Sequence, residues 1–169
     1  MAVVNLKGTA VTNADNKVLN NSRVFRTLLE EAVGTVELAN GDSIGSTYRL
    51  CRLPSNARIS RVLLSCDAIT SGAGDVGVYK TSRDGGTVVD VDFFASAQSI
   101  ATALVHSDVS HEADPADAGA GWGHADVEKP LWQALGLTAD PYLEYDITLT
   151  LTAATTAAGT VSMKVQFGI

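Results

Sequence analysis

A chain of 169 residues suits one domain, long enough to bury about two-thirds of its unfolded surface without a metal or disulfide staple. Its net charge of −7 repels phosphate backbones, which argues against a nucleic-acid partner. It has no basic run to attract an anionic membrane and no apolar run of the roughly 20 residues that span one.

Residues 1–21 are polar and rich in Asn, and read as an extended arm. The N-terminus lacks a charged region followed by an apolar core, so no signal peptide is expected and synthesis in a cytoplasm is. From Ser22 to Ala32, apolar Val24, Phe25, Leu28, Leu29 and Ala32 fit one face of a short helix. Ser22 would be its N-cap and Gly34 would lie just past its end. An extended segment pairing with a neighbouring subunit is the alternative. Residues 1–32 are therefore set apart as an arm, and 33–169 as the folded domain.

From Val33 the pattern has period two, and Asn40-Gly41-Asp42 signals a turn. Strands are predicted over 46–53 and 58–66, the second with a phase slip near Arg61 that marks a bulge. Shorter strands follow at 76–80 and from Val88. Ala97, Ile100, Ala101 and Leu104 recur at helical spacing, which predicts a short helix within 95–105. Residues 106–126 read as a long loop, and long loops in compact domains tend to be functional or mobile. Pro130 and Gly136 bracket a helix of one or two turns.

The clearest pattern comes last. Tyr145, Ile147, Leu149 and Leu151 alternate with polar residues, as do Val161, Met163, Val165 and Phe167. Strict alternation buries one face of a strand and wets the other. The small-residue linker between them predicts an antiparallel hairpin. About eight short strands without a βαβ rhythm give the fold class: mainly β, an antiparallel, jelly-roll-like β-sandwich with one to three short helices and the arm.

The search for chemistry centres on 106–126. His106, His111 and His124 lack the short paired spacings of zinc ligands, and the acidic residues lack the Asp/Asn ladder of a calcium loop. No metal and no cofactor is expected. No serine sits in a GxSxG elbow and there is no phosphate-binding glycine loop. Asp90 and Asp92 share one face of a strand, which reads as a solvated face. An enzyme is not expected. Cys51 and Cys66 read as two buried reduced thiols, with a disulfide between adjacent strands as the alternative. Of the aromatics Trp122, Trp132, Tyr142 and Tyr145, only Trp122, in a Gly-rich loop, reads as free to meet a partner.

The stretch Leu53-Pro54-Ser55-Asn56-Ala57-Arg58-Ile59 is joined by Val76-Gly77-Val78-Tyr79, Asp92-Phe93-Phe94-Ala95 and Leu131-Trp132-Gln133-Ala134-Leu135-Gly136-Leu137. With the arm and the aromatic-poor strands, this set resembles the capsid decoration, or cement, proteins of tailed bacteriophages, over residues 33–169. The resemblance implies a homo-oligomer, often a trimer, on the capsid exterior that clamps neighbouring major capsid proteins. The class shares no site motif, so no functional residue is carried over. Val24, Phe25, Leu28, Leu29 and Trp122 are the candidate interface residues, chosen as apolar groups in the arm and loop. The rival expectation is a carbohydrate- or receptor-binding sandwich of a phage tail or fibre.

Overall fold

The computed structural model describes residues 6–23, 27–119 and 121–169. Among the described residues there are eight strands: β1 (Glu30–Leu38), β2 (Thr47–Pro54), β3 (Arg58–Cys66), β4 (Ala73–Lys80), β5 (Val88–Ser99), β6 (Leu104–Asp108), β7 (Glu144–Ala153) and β8 (Gly159–Gly168). Two short helices, α1 (Thr9–Asp15) and α2 (Leu131–Ala134), accompany them. The strands form two four-stranded sheets, ordered β1-β8-β3-β6 and β2-β7-β4-β5, and the pairings are antiparallel. The protein is a β-sandwich, as expected.

The alternating segments at the C-terminal end supply the middle of both sheets. Tyr145, Ile147, Leu149 and Leu151 of β7 and Val161, Met163, Val165 and Phe167 of β8 are all buried. They do not form the predicted hairpin. β7 pairs with β2 and β4, whereas β8 pairs with β1 and β3 in the opposite sheet. Alternation fixes which face of a strand is buried but not which strand lies beside it. Two apolar faces meet equally well across a sandwich. Residues 154–158, extended, span about 17 Å, enough to cross the roughly 10 Å between packed sheets.

Neither predicted helix, over 22–32 or within 95–105, is found among the described residues. Residues 27–29 are not helical and β1 starts at Glu30, running beside β8 from Glu30↔Phe167 to Leu38↔Gly159. The period-two face of Ala32, Gly34, Val36 and Leu38 begins upstream of Val33, and pairing with β8 gives it a core to bury against. Val24 and Phe25 lie outside the described residues. Likewise β5 continues to Ser99 and β6 starts at Leu104. The helix-like spacing there reflects irregular pairing. Val76 faces Ala95 and Val78 faces Asp90, so two steps along β4 match five along β5. The extra residues form a bulge that buries Phe93, Phe94 and Ala95 in succession. Gly77 lies beneath it, where an added Cβ would come 2.2 Å from the Asp90 and Val91 carbonyl oxygens.

The predicted bulge near Arg61 is present: Ile59 faces Phe167 and Arg61 faces Gln166. The predicted helix within 129–136 is the single turn α2, and Gly136 follows it with φ of 77°. α1 lies in the segment expected to be extended. It buries no residue, and residues 7–23 make their hydrogen bonds within that stretch.

Candidate interaction surfaces

The 106–126 segment is more ordered than its composition predicts. It opens with β6, then turns back along the free edge of β5. The amide N–H of Ala113 donates to the Phe94 carbonyl at 3.0 Å, and that of Trp122 to the Phe93 carbonyl at 2.7 Å. These bonds seal the β5 edge, which otherwise presents unpaired main-chain groups. Trp122 is 1% exposed and packs edge-on to Phe93, with ring centroids 6.0 Å apart. The expectation that its indole meets a partner is therefore corrected. A Gly-rich context signals freedom of the backbone, not of the side chain, and the aromatic pair on the β5 bulge recruits the ring.

The polar residues of this segment hold its shape. Asp114 is buried and accepts from the amides of Ala118 and Gly119 at 2.6 and 2.7 Å. Asp126 accepts from the Gly123 amide and from the Lys129 ammonium. His111 bonds the Trp122 carbonyl through Nδ1, His124 bonds the Pro115 carbonyl through Nε2, and the two imidazole rings lie tilted at 49° with centroids 4.7 Å apart. Among the described residues, no group of three His, Cys, Asp or Glu side chains is placed to hold a metal ion.

A second polar cluster went unnoticed in the sequence. On the outer face of the β2-β7-β4-β5 sheet, Arg49 and Arg52 converge on Asp146, whose side chain is 3% exposed. Arg52 Nε donates to one carboxylate oxygen at 2.7 Å, and Arg49 Nη1 to the other at 2.8 Å. Arg49 also donates to the carbonyls of Lys80 and Gly86, and its guanidinium lies over the Tyr79 ring. Burial would push the Asp146 carboxyl up. The hydrogen bonds and charges of Arg52 and Arg49 outweigh it and hold the group below the usual carboxylate range. These contacts stitch β2 to β7 and to the turn after β4.

Asp90 and Asp92 are near neighbours on β5, and burial together with the second carboxyl pushes Asp90 up. Cys51 and Cys66 are buried free thiols, and burial raises the Cys51 thiol to about 11, so neither reads as a nucleophile.

The surfaces left for partners are the arm, its junction and the sheet edges. Leu28 is 87% exposed and Leu29 is 59% exposed, just before β1. A groove beside them is lined by Arg23, Thr27, Arg58, Ile59, Val127 and Glu128. The β1 edge leans against β2 at Gly34, where an added Cβ would lie 1.8 Å from the Leu50 carbonyl oxygen. β6 pairs with β3 on one side, ends its sheet on the other, and carries Val105 at 83% exposure.

No protein-family model matches this chain. No curated protein matches its sequence. Among solved structures, the fold is similar to a chain of the structure titled "Cyanophage Pam1 capsid asymmetric unit", at 17% sequence identity and a TM-score of 0.53. The match covers 90% of this chain and 92% of that one. The likeness is one of fold, and it spans the sandwich.

Proposed function

We propose that this chain is a structural virion protein that decorates the exterior of a phage capsid and clamps neighbouring major capsid proteins. The carrying observation is the likeness, over nearly the whole of both chains, to a chain from a cyanophage capsid assembly. The surface chemistry supports it. The apolar faces of β7 and β8 are used in the core, and His111, His124 and Asp114 are engaged in holding the 106–126 segment; the reading assigns the chain no reaction and no cofactor. Exposed aliphatic residues of the arm and its junction include Leu6, Val11, Leu19, Leu28 and Leu29. A clamp needs surfaces of that kind. An edge such as β6 can also add a strand from a neighbour, where main-chain bonds give affinity without special side chains. Repetition around a symmetric shell multiplies each modest contact.

The same reading places synthesis in the host cytoplasm and a trimer on the shell. We also read the strand order β1-β8-β3-β6 over β2-β7-β4-β5 as a jelly roll.

Co-sedimentation with capsid shells assembled without this chain tests the proposal. The purified protein is expected to pellet with the shells, appear on their outside by cryo-electron microscopy and raise their disruption temperature. Deleting residues 1–21 is expected to leave the fold intact and weaken the binding. A chain that stays in the supernatant with shells of its own phage overturns the reading.

A further inference from the structure

Charge is divided unevenly along this chain. Residues 1–29 hold four basic residues, Lys7, Lys17, Arg23 and Arg26, and one acid, Asp15. Residues 30–169 hold eight basic and eighteen acidic residues, so a basic arm is joined to an acidic body. The body's acid is itself concentrated: from Asp84 to Glu128 there is no Lys or Arg and there are nine Asp or Glu residues. Glu112, Asp117 and Glu128 of this stretch are exposed.

The arm has the surface of a segment meant to be covered. Lys7 pairs with the arm's own acid, Asp15, which leaves Lys17 and Arg23 without a carboxylate partner among the described residues. Leu6 is 89% exposed and Leu19 is 96% exposed, with Val11 and Val18 about half exposed. α1 has only seven residues and buries none of them on its own sandwich. Isolated helices shorter than about 12 residues are marginal in water, so packing has to supply what length does not. The acidic surface offers the matching chemistry: exposed Val88 and Val89 beside Asp90, with Glu112 and Asp117 exposed in the segment that follows β6, whereas Val127 and Glu128 already share a groove with the same chain's Arg23.

We propose that the arm of one copy docks on the 84–128 surface of a second copy, with Lys17 and Arg23 against its carboxylates and the arm's aliphatic residues against its valines. Charge complementarity selects the occupant, because the same chain carries both halves of the contact. It also steers encounter, since opposite fields raise association rates at low salt. This contact needs no capsid. It makes the purified chain a self-assembling subunit whose cohesion weakens with salt.

Sedimentation equilibrium of the purified full chain at about 50 mM and about 500 mM NaCl reads the effect, because screening at the higher salt shortens the reach of exposed charges. An oligomer at low salt that dissociates at high salt is expected. The double variant K17E/R23E should keep the wild-type circular dichroism, since neither side chain makes an ion pair with the sandwich among the described residues, and should self-associate roughly tenfold more weakly, as the loss of two exposed ion pairs would allow. Zero-length carbodiimide crosslinking of mixed ¹⁴N and ¹⁵N chains should join Lys17 of one copy to an acid within 84–128 of another. A monomer at low salt overturns the proposal. So does an oligomer that ignores the charge reversal, or crosslinks confined to single chains. Oligomers that ignore capsid shells leave this contact standing and sink the virion reading, whereas monomers that coat shells do the reverse.

Discussion

Asp146 shows how a polar residue on an alternating strand can be structural. Its position in β7 reads as a wet face, yet its side chain is 3% exposed beneath two guanidinium groups. The information lies in the cross-strand register, where Arg52 faces Asp146 and Arg49 faces Thr148, and a single sequence does not display register. Asp146→Asn keeps the shape and removes the charge that both arginines bind. It is expected to lower the unfolding free energy by about 2 kcal/mol at pH 7, a value discounted because Arg52 is 46% exposed. The pH dependence has a definite sign. A carboxyl held below its unfolded value contributes stability that is full above about pH 4 and is lost as pH falls through the folded value. Urea titrations of both proteins should therefore converge in acid, with the wild type losing more. A constant gap down to the lowest folded pH would mean that the ion pairs are not the source. Trp122 makes the complementary point. Its loop glycines were legible, but the rings of Phe93 and Phe94 that capture it sit some thirty residues earlier in the chain.

Among the elements, the strands with one apolar face were legible and their neighbours were not. β3 declared its bulge because the phase slip is local, within Ile59 to Val62. β7 and β8 declared their buried faces but not their separation into two sheets, because apolar alternation is the same for a hairpin and for strands facing each other across a core. The end of β5 was hidden by its register shifts, whereas β1 pairs with β8 without one and its upstream end shows only with that partner in place. Helical spacing of apolar residues competes with period two when bulges shift the phase, and only the partner strand decides. Gly34 is where the edge strands of the two sheets meet, its backbone against that of Leu50. Gly34→Ala should force β1 off β2. A loss of about 1–3 kcal/mol is expected in denaturant titrations, as for other overpacked sites. Amide exchange should rise in β1 before it rises in β3. Unchanged stability would show that β1 shifts freely and that this seam contributes little.

For the molecule as a whole, the class and the core were the legible part: about eight short strands with turn signals and no βαβ rhythm lead to a sandwich by periodicity alone. Leu28 and Leu29 are exposed just before β1 and Trp122 is buried, because exposure is set by tertiary packing rather than by local composition. The strand order carries a further expectation. β8 lies between β1 and β3, and β7 lies between β2 and β4. A fragment of residues 1–143 therefore lacks a central strand in each sheet. It should show no cooperative thermal transition and no dispersed amide spectrum, whereas adding a peptide of residues 144–169 should restore some of both. A fragment that folds alone would mean that the halves can repair themselves.

That placement of β7 and β8 also acts on a clock. Of the eight strands, these two leave the ribosome last, and every earlier strand except β5 and β6 waits for one of them as a direct neighbour. Long-range pairing of this kind is slow to form and cannot begin before its partners exist. A nascent chain is thus held short of its two finished sheets until residues 144–168 emerge.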